Sequence, residues 1–314
     1  MLNDHASTVA DCRFCWMCRH VCTVALSTCL ESHTPRGKAL NLFAVRRGIR
    51  DWGADLSEVV HHCDLCGLCQ SWCISNKDNP GLIRAARRLA VEHGTEPEFA
   101  GRIRRNILDT NDVFGETGGR RDPLSGQAAA PAASQGHGRA GKTLWLFLGC
   151  MVRDRLPALE AAARASLDRL GIAYVRLDDE PCCGRPLFDL GYQKDWEERA
   201  RKMREFAHDN GFLESATICP GCWHALRDTF AEDPSIRVRH IQELLGDHLL
   251  GSDFHSEPGG EPGRPGAVPE GNRQDGAGDL LVTYHDPCYL GRFGRLYELP
   301  RRLIGSIPGV RLVE

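Results

Sequence analysis

The chain has 314 residues, 42% hydrophobic and 26% charged, with a formal net charge of −3. That length suffices for two domains with their own cores, and the charge gives no electrostatic case for nucleic acid as a partner. No apolar stretch approaches a membrane span, and the start, Met1-Leu2-Asn3-Asp4-His5, lacks the basic flank and apolar centre of a secretion signal.

Cysteine dominates the start of the chain. Cys12, Cys15, Cys18 and Cys22 form a C-x-x-C-x-x-C-x-x-x-C run, and the same run returns as Cys63, Cys66, Cys69 and Cys73. The expected compartment is a reducing cytoplasm, where such runs mean metal or redox work. Steps of three let a short loop wrap one face of a cluster, and the fourth cysteine is expected to start a helix that leads away. Zinc, the first alternative, needs four ligands, usually as two separated pairs, and has no use for a triplet followed by a fourth. Disulfides are the second, but residues three apart in a tight loop seldom reach bridging geometry in series.

The run is similar to that of bacterial two-cluster ferredoxins, in which three close thiolates hold one cubane and the fourth reaches the other. Carried over position by position, the resemblance assigns Cys12, Cys15, Cys18 and Cys73 to one [4Fe-4S] cluster and Cys63, Cys66, Cys69 and Cys22 to another. Thr23 and Ile74 stand where those ferredoxins have proline, which loosens the turn but removes no ligand.

Between the runs, Thr34 as N-cap and Pro35 at the first helical position predict a helix reaching Arg50. Helices are also predicted over 81–93 and 97–108, the first with a stripe of Leu82, Ile83, Ala86, Leu89 and Ala90. Arg84, Arg87, Arg88, Arg102, Arg104 and Arg105 interleave with Glu92, Glu96 and Glu98 and read as a solvated helix face; docking to an acidic redox partner is the alternative. Cys29 belongs to no motif and reads as a packing residue. His61 and His62 flank the second run, where they either tune a cluster through hydrogen bonds to sulfur or lie exposed. Residues 1–116 are thus expected to form a helical domain.

From 117 to 142 the composition turns to Gly, Ala, Pro, Ser and Gln, a linker signature. Order is expected to resume at the buried-strand run Leu144-Trp145-Leu146-Phe147-Leu148. Helices at 155–170, 194–209, 221–231 and 240–250 then alternate with strands at 173–177, 215–219 and 236–239, which implies a mainly parallel sheet with helices on its faces. A second Gly- and Pro-rich linker, 251–279, precedes a strand at 280–284 and a helix near 295–305.

Cys150, Cys182-Cys183-Gly184 and Cys219-Pro220-Gly221-Cys222 each fall where a strand should end, the usual place for ligand sites in open α/β sheets. Adjacent cysteines do not suit one iron but suit a cluster that takes thiolates at different metals. The alternatives are a vicinal disulfide, a zinc site, for which five cysteines are one too many, and thiols packed as small hydrophobes.

In this order, behind two ferredoxin-type runs and Pro35-Arg36-Gly37, these motifs resemble the cysteine-rich CCG-domain iron-sulfur proteins. These include the glycolate oxidase iron-sulfur subunit, the C-type subunit of anaerobic glycerol-3-phosphate dehydrogenase, lactate-utilization iron-sulfur proteins and the D-type heterodisulfide reductase subunit. The resemblance covers nearly the whole chain. It implies a noncubane [4Fe-4S] cluster at Cys150, Cys182, Cys183, Cys219 and Cys222. The family carries the domain twice, and His285-Asp286-Pro287-Cys288 looks like the opening of a second copy. No CCG and no C-x-x-C follow, so Cys288 marks an incomplete second site, either because the sequence is a fragment or because the half-site has been lost; His285 is a candidate beside it, with a plain turn as the alternative.

The fold class implied is α+β multidomain. A helical two-cluster ferredoxin-like domain at 1–116 is followed by an α/β parallel-sheet CCG domain at 143–250 and a truncated second CCG repeat at 280–314. The function implied is an electron-transfer subunit. A flavoprotein dehydrogenase partner oxidises a small hydroxy acid or glycerol phosphate, and electrons leave toward an acceptor such as quinone, the chain lying in the cytoplasm or at the inner face of a membrane through its partners or a membrane anchor. No phosphate-binding loop and no Ser-His-Asp order point to catalytic residues or an organic cofactor in this chain. The alternatives are a heterodisulfide reductase-like thiol/disulfide reductase and a non-catalytic zinc scaffold.

Overall fold

The computed structural model describes residues 2–115, 124, 133–134, 143–251 and 280–314. The stretches read as linkers, 117–142 and 251–279, fall almost wholly outside the described residues. The chain divides into two compact units, one of residues 1–120 and 184–201, the other of residues 121–183 and 202–314.

In the first unit the helices Ala6–Cys12, Pro35–Arg46, Ala54–His61 and Asn79–Glu92 bury one apolar stripe each. Val9, Leu42, Leu56, Val60, Leu82 and Ala86 meet there in one core, the i, i+4 spacing of Leu56 with Val60 and of Leu82 with Ala86 putting each pair on one helix face. Thr34 caps the second of these helices, its Oγ1 accepting from Gly37 N at 2.9 Å with Pro35 behind it. That helix stops at Arg46, short of Arg50, because Gly48 turns left-handed at φ 67° and ends the ladder. Asp78 caps the helix Asn79–Glu92 through Gly81 N at 2.9 Å and starts it two residues before the predicted position.

The basic patch is not a solvated face throughout, which corrects the sequence reading. Arg87 is only 4% exposed. Its guanidinium donates to Val60 O at 3.1 Å, His61 O at 3.1 Å, Cys63 O at 2.5 Å and Asp189 O at 2.8 Å. Arg84 pairs with Asp189 at 3.1 Å and Arg104 with Asp195 at 2.6 Å. Arg102 and Arg105 are exposed as expected. The difference has a local cause: residues 184–201, assigned from sequence to the α/β part, pack in the helical unit and bring these carboxylates with them.

The second unit is built on a three-stranded parallel sheet in the order Thr143–Phe147, Phe212–Thr217, Arg237–His240. Tyr174-Val175 runs along the outer side of the first strand, with a parallel bridge from Val175 to Trp145. The helices Gly149–Arg155 and Pro157–Arg169 lead from the first strand to Tyr174-Val175, Gln193–Asp209 leads into Phe212–Thr217, and Pro220–Thr229 joins that strand to Arg237–His240, crossovers of the kind parallel pairing requires; Ile241–Leu249 follows the last strand. Leu144, Leu146 and Leu148 point into a core with Val152, Leu167, Ala216, Ile218, Ile241 and Leu244. On the opposite face Trp145 lies against Phe212, Phe147 and Phe206, with ring centroids 4.9, 5.0 and 5.7 Å away. Both faces of this strand are covered, which is why it reads as an unbroken apolar run rather than an alternating one.

The C-terminal segment forms its own parallel pair, Leu280–Val282 with Val310–Leu312. Its Leu290, Leu296 and Leu299 share a core with Trp223 of the helix Pro220–Thr229. Among the described residues no helix is long and apolar enough to cross a membrane.

Candidate iron-sulfur sites

In the helical unit the two cysteine runs face each other through their fourth members. Cys63, Cys66 and Cys69 line a cavity of about 480 Å³ of empty space, its mouth included, and Cys22 of the other run lines the same cavity. Thr23, standing where proline was expected, donates from Oγ1 to Asp64 Oδ2 at 3.1 Å and so ties the end of the first run to the loop of the second. Leu65 adopts a left-handed φ of 51° in that loop while its side chain is buried, which turns the chain around the cavity wall.

The other four cysteines lie close by, Cys18 within electrostatic reach of Cys22 and Cys69. Burial raises the pKa of the Cys12 thiol, and the neighbouring Cys73 and Cys15 raise it further while a hydrogen bond from Asn79 opposes them. Burial, with Cys12 and Cys15 close by, pushes Cys18 up to about 12. Asn79 Nδ2 lies 3.6 Å from Cys12 Sγ, and the Lys77 backbone N–H donates to Cys73 Sγ at 3.4 Å. Cys22 thus lines one cavity with Cys63, Cys66 and Cys69, and Cys12 lies in electrostatic reach of Cys15, Cys18 and Cys73, with Cys18 also in reach of Cys22 and Cys69. Cys22 caps the helix Thr23–Thr28 as expected, whereas Cys73 follows the short helix Leu68–Ser71 and starts none.

The donor chemistry fits iron-sulfur clusters. Burial and neighbouring thiols raise Cys69 strongly, a repulsion that a cationic metal core relieves by holding the sulfurs as thiolates. Among the described residues no three His, Cys, Asp or Glu side chains gather into a donor set for one metal ion. All fifteen cysteines are free of disulfides.

Sequence reasoning missed His33 and Lys38, which also line the cavity. The signal for Lys38 was its place on the buried stripe of its helix, next to Ala39 and four residues before Leu42. His61 lies away from the cavity wall, its Nδ1 2.7 Å from Ser57 O, and His62 stacks on His33 with ring centroids 4.4 Å apart. Cys29, read as a packing residue, is exposed and ends the helix Thr23–Thr28 with a left-handed φ of 57°.

In the α/β unit Cys150, Cys182 and Cys219 follow three neighbouring strand segments, with the segment carrying Cys150 in the middle. The sheet order reverses at that point, the crevice where open α/β sheets hold ligands. Cys222 exchanges hydrogen bonds with Cys183 and Cys219, which together with burial raise it well above its usual value. The Cys222 thiol, aided by the backbone N–H groups of Cys222 and Gly221, brings Cys219 down to about 6 against burial and the like charge of Cys182. Gly149 closes the site from the first strand. A Cβ there would stand 2.5 Å from Cys222 Sγ, so Cys150 enters beside the same thiol.

Glu180 holds this arrangement from behind. Fully buried, its carboxylate accepts from Leu148 N at 2.9 Å and Gly149 N at 2.6 Å, while Arg153 donates to Glu180 O at 2.9 Å. The glycine of the CCG motif, Gly184, has φ 72°, and a Cβ would meet Arg199 Cδ at 2.8 Å. Arg292 Nη2 lies 2.9 Å from Cys288 Sγ. The next residue, Tyr289, lies against the Gly221 turn. His285 is exposed, and Asp286 is taken up by Arg301 at 2.8 Å.

The family described as CCG, cysteine-rich domain, matches residues 144–227 and 282–314. The B-type subunit of fumarate reductase (CoM/CoB) from Methanothermobacter marburgensis is 27% identical over 264 residues, 82% of this chain and 47% of that protein. The D-type subunit of dihydromethanophenazine:CoB–CoM heterodisulfide reductase from Methanosarcina acetivorans is 27% identical over 279 residues, 83% of this chain and 60% of that protein. EtfAB:quinone oxidoreductase of Syntrophomonas wolfei is 23% identical over 261 residues, 81% of this chain and 34% of that protein. The chain spans about half the length of the curated relatives it matches. No solved structure matches. With cysteines at three neighbouring strand ends, the chain thus carries matches to the cysteine-rich CCG domain over 144–227 and 282–314 and is similar to iron-sulfur and reductase subunits.

Proposed function

We propose that the chain is the electron-carrying subunit of an oxidoreductase complex. One [4Fe-4S] cluster would be held by Cys12, Cys15, Cys18 and Cys73, a second by Cys63, Cys66, Cys69 and Cys22, and a noncubane [4Fe-4S] cluster by Cys150, Cys182, Cys183, Cys219 and Cys222. Such clusters accept and release electrons one at a time, with potentials set by charge, hydrogen bonds to sulfur and exposure. The observation that carries the reading is Cys22, which leaves its own run to line one cavity with the triplet of the other. The proposed domains are helical and two-cluster at 1–116, CCG at 143–250, from which residues 184–201 pack with the helical unit, and part of a second CCG repeat at 280–314.

The chain's own residues supply the fixed surroundings. Arg87 ties down the carbonyls that lead into Cys63, Asn79 and the Lys77 N–H donate to sulfur in the first set, and Glu180 clamps the turn before Cys150. A flavoprotein partner would remove two electrons from a small hydroxy acid or glycerol phosphate and deliver them here, and an acceptor such as quinone would receive them. The relatives named as subunits of fumarate reductase and heterodisulfide reductase support a partner subunit, and the EtfAB:quinone oxidoreductase relative supports a quinone acceptor.

The test is anaerobic purification with metal and sulfide analysis. Two or three clusters give about eight to twelve irons per chain, and zinc in place of iron would sink the reading. EPR of the Cys182→Ala variant tests the third site: a variant that keeps every wild-type signal leaves no cluster there.

A second reading, reduction of an organic disulfide at the CCG site, is favoured by the heterodisulfide reductase relatives and by the segment Cys288-Tyr289 lying at the Gly221 turn. In that reaction two electrons and two protons convert one disulfide into two thiols. Chemically reduced protein that releases no thiol from an added heterodisulfide refutes it.

A further inference from the structure

Lys38 is 3% exposed, on the helix Pro35–Arg46 and against the core of the helical unit. Its ammonium donates to His33 O. Among the described residues no carboxylate pairs with it, and it lines the cavity that Cys22, Cys63, Cys66 and Cys69 also line. A buried ammonium without an acid is costly, and proteins keep one where an opposite charge faces it. Burial pulls this lysine's pKa down, and the charges it meets that act the other way are those of Cys63, Cys22 and Cys69. The contrast within the unit is Lys77. It stands beside the other thiol set, but its ammonium is partly exposed and already paired with Asp11 at 2.7 Å.

A [4Fe-4S] core with four thiolates is anionic in both oxidation states, and more so once reduced. A fixed positive charge beside it stabilises the reduced form more than the oxidised one. We infer that Lys38 is the built-in countercharge of the cluster at Cys22, Cys63, Cys66 and Cys69 and raises its reduction potential. The inference rests on the ligand assignment proposed above. Lys38 acts through the cluster's charge without being a ligand, so it is a positioning residue for electron flow. Arg87, the other buried cation of this region, is committed to backbone carbonyls and leaves this role to Lys38.

The experiment is an EPR-monitored redox titration of the anaerobically purified full chain, with iron content measured on the same samples. The variants are Lys38→Met, which removes the charge, Lys38→Gln, which removes it but keeps a donor for His33 O, and Lys38→Arg, which retains it. Lys38→Met is expected to keep its iron and to make reduction of one cubane at least tenfold less favourable, about 59 mV for one electron. The other cubane and the Lys38→Arg protein are expected to stay near wild type. If Lys38→Met fails to load, Lys38→Gln takes its place. Failure of both neutral variants while Lys38→Arg loads supports the countercharge, and failure of all three makes Lys38 a structural residue and overturns the inference. A loaded neutral variant with unchanged potentials also overturns it, leaving the cluster assignment standing. Wild-type protein without a cubane signal overturns the assignment itself.

Discussion

Replacing Gly149 with alanine perturbs the CCG site at its narrowest point. The backbone there is left-handed, φ 71°, and the added Cβ would stand 2.5 Å from Cys222 Sγ. A left-handed residue other than glycine costs about 1–2 kcal/mol, and forcing a buried neighbour aside costs about 1–3 kcal/mol more. The α/β unit is therefore expected to lose about 2–5 kcal/mol. Gly171 separates the two contributions, because its φ is 65° but nothing lies within 4 Å of its Cβ position. Gly171→Ala carries the strain alone, about 1–2 kcal/mol. The assay is anaerobic guanidinium unfolding of wild type and both variants, followed by tryptophan fluorescence, with iron per chain measured beforehand. Gly149→Ala should unfold at the lower denaturant concentration and lose iron, while Gly171→Ala should keep its iron. Equal losses in the two variants would refute the claim that Cys222 presses on the turn that carries Cys150.

Arg87→Met leaves four backbone carbonyls without their buried donor, and hydrogen bonds to a charged group contribute about 1.5–3 kcal/mol each. A loss above about 3 kcal/mol is expected, with Arg87→Lys no better because an ammonium cannot reproduce the guanidinium fork; chemical denaturation that finds either variant near wild type argues against the network. His240 is buried with its Nε2 2.9 Å from Ile218 O, and burial lowers its pKa from 6.5 to about 4. Between those values the unfolded imidazole takes a proton that the folded one refuses, so stability is highest above 6.5 and falls as pH drops toward 4. The loss is about 2 kcal/mol from pH 7 to pH 4.5, and denaturation of His240→Gln at both pH values should show a flatter dependence. Cys22→Ser is expected to cost one cubane's worth of iron and Cys29→Ser none; a Cys29→Ser protein short of iron would require a different ligand set.

The grouping of Cys63, Cys66 and Cys69 at one cavity was legible because a loop brings three thiols to one wall only with spacing of this kind. The alternation after Leu144 gave the parallel sheet for the same kind of reason: Leu144 and Leu146 face one core and Trp145 and Phe147 the other, so the run had to be continuous. What the sequence concealed is of another sort. Arg84 and Arg87 look like surface charge until residues 184–201 fold against them, and no periodicity within their own helix records a partner that lies about a hundred positions away. Lys38 was hidden by its neighbours, since Thr34 and Pro35 explain the helix start and draw the eye from a charge on the buried stripe. Glu180 was passed over beside Cys182 because a carboxylate in a turn is ordinarily solvated, yet here two backbone N–H groups take it inside. The division is physical. The clustered cysteines are tied to each other by local spacing, whereas the charged residues packed around them, such as Lys38 and Arg87, come from wherever the fold has room. A search for such residues in a cysteine-rich chain should therefore begin with charged side chains that fall on an apolar helical stripe, as Lys38 and Arg87 both do.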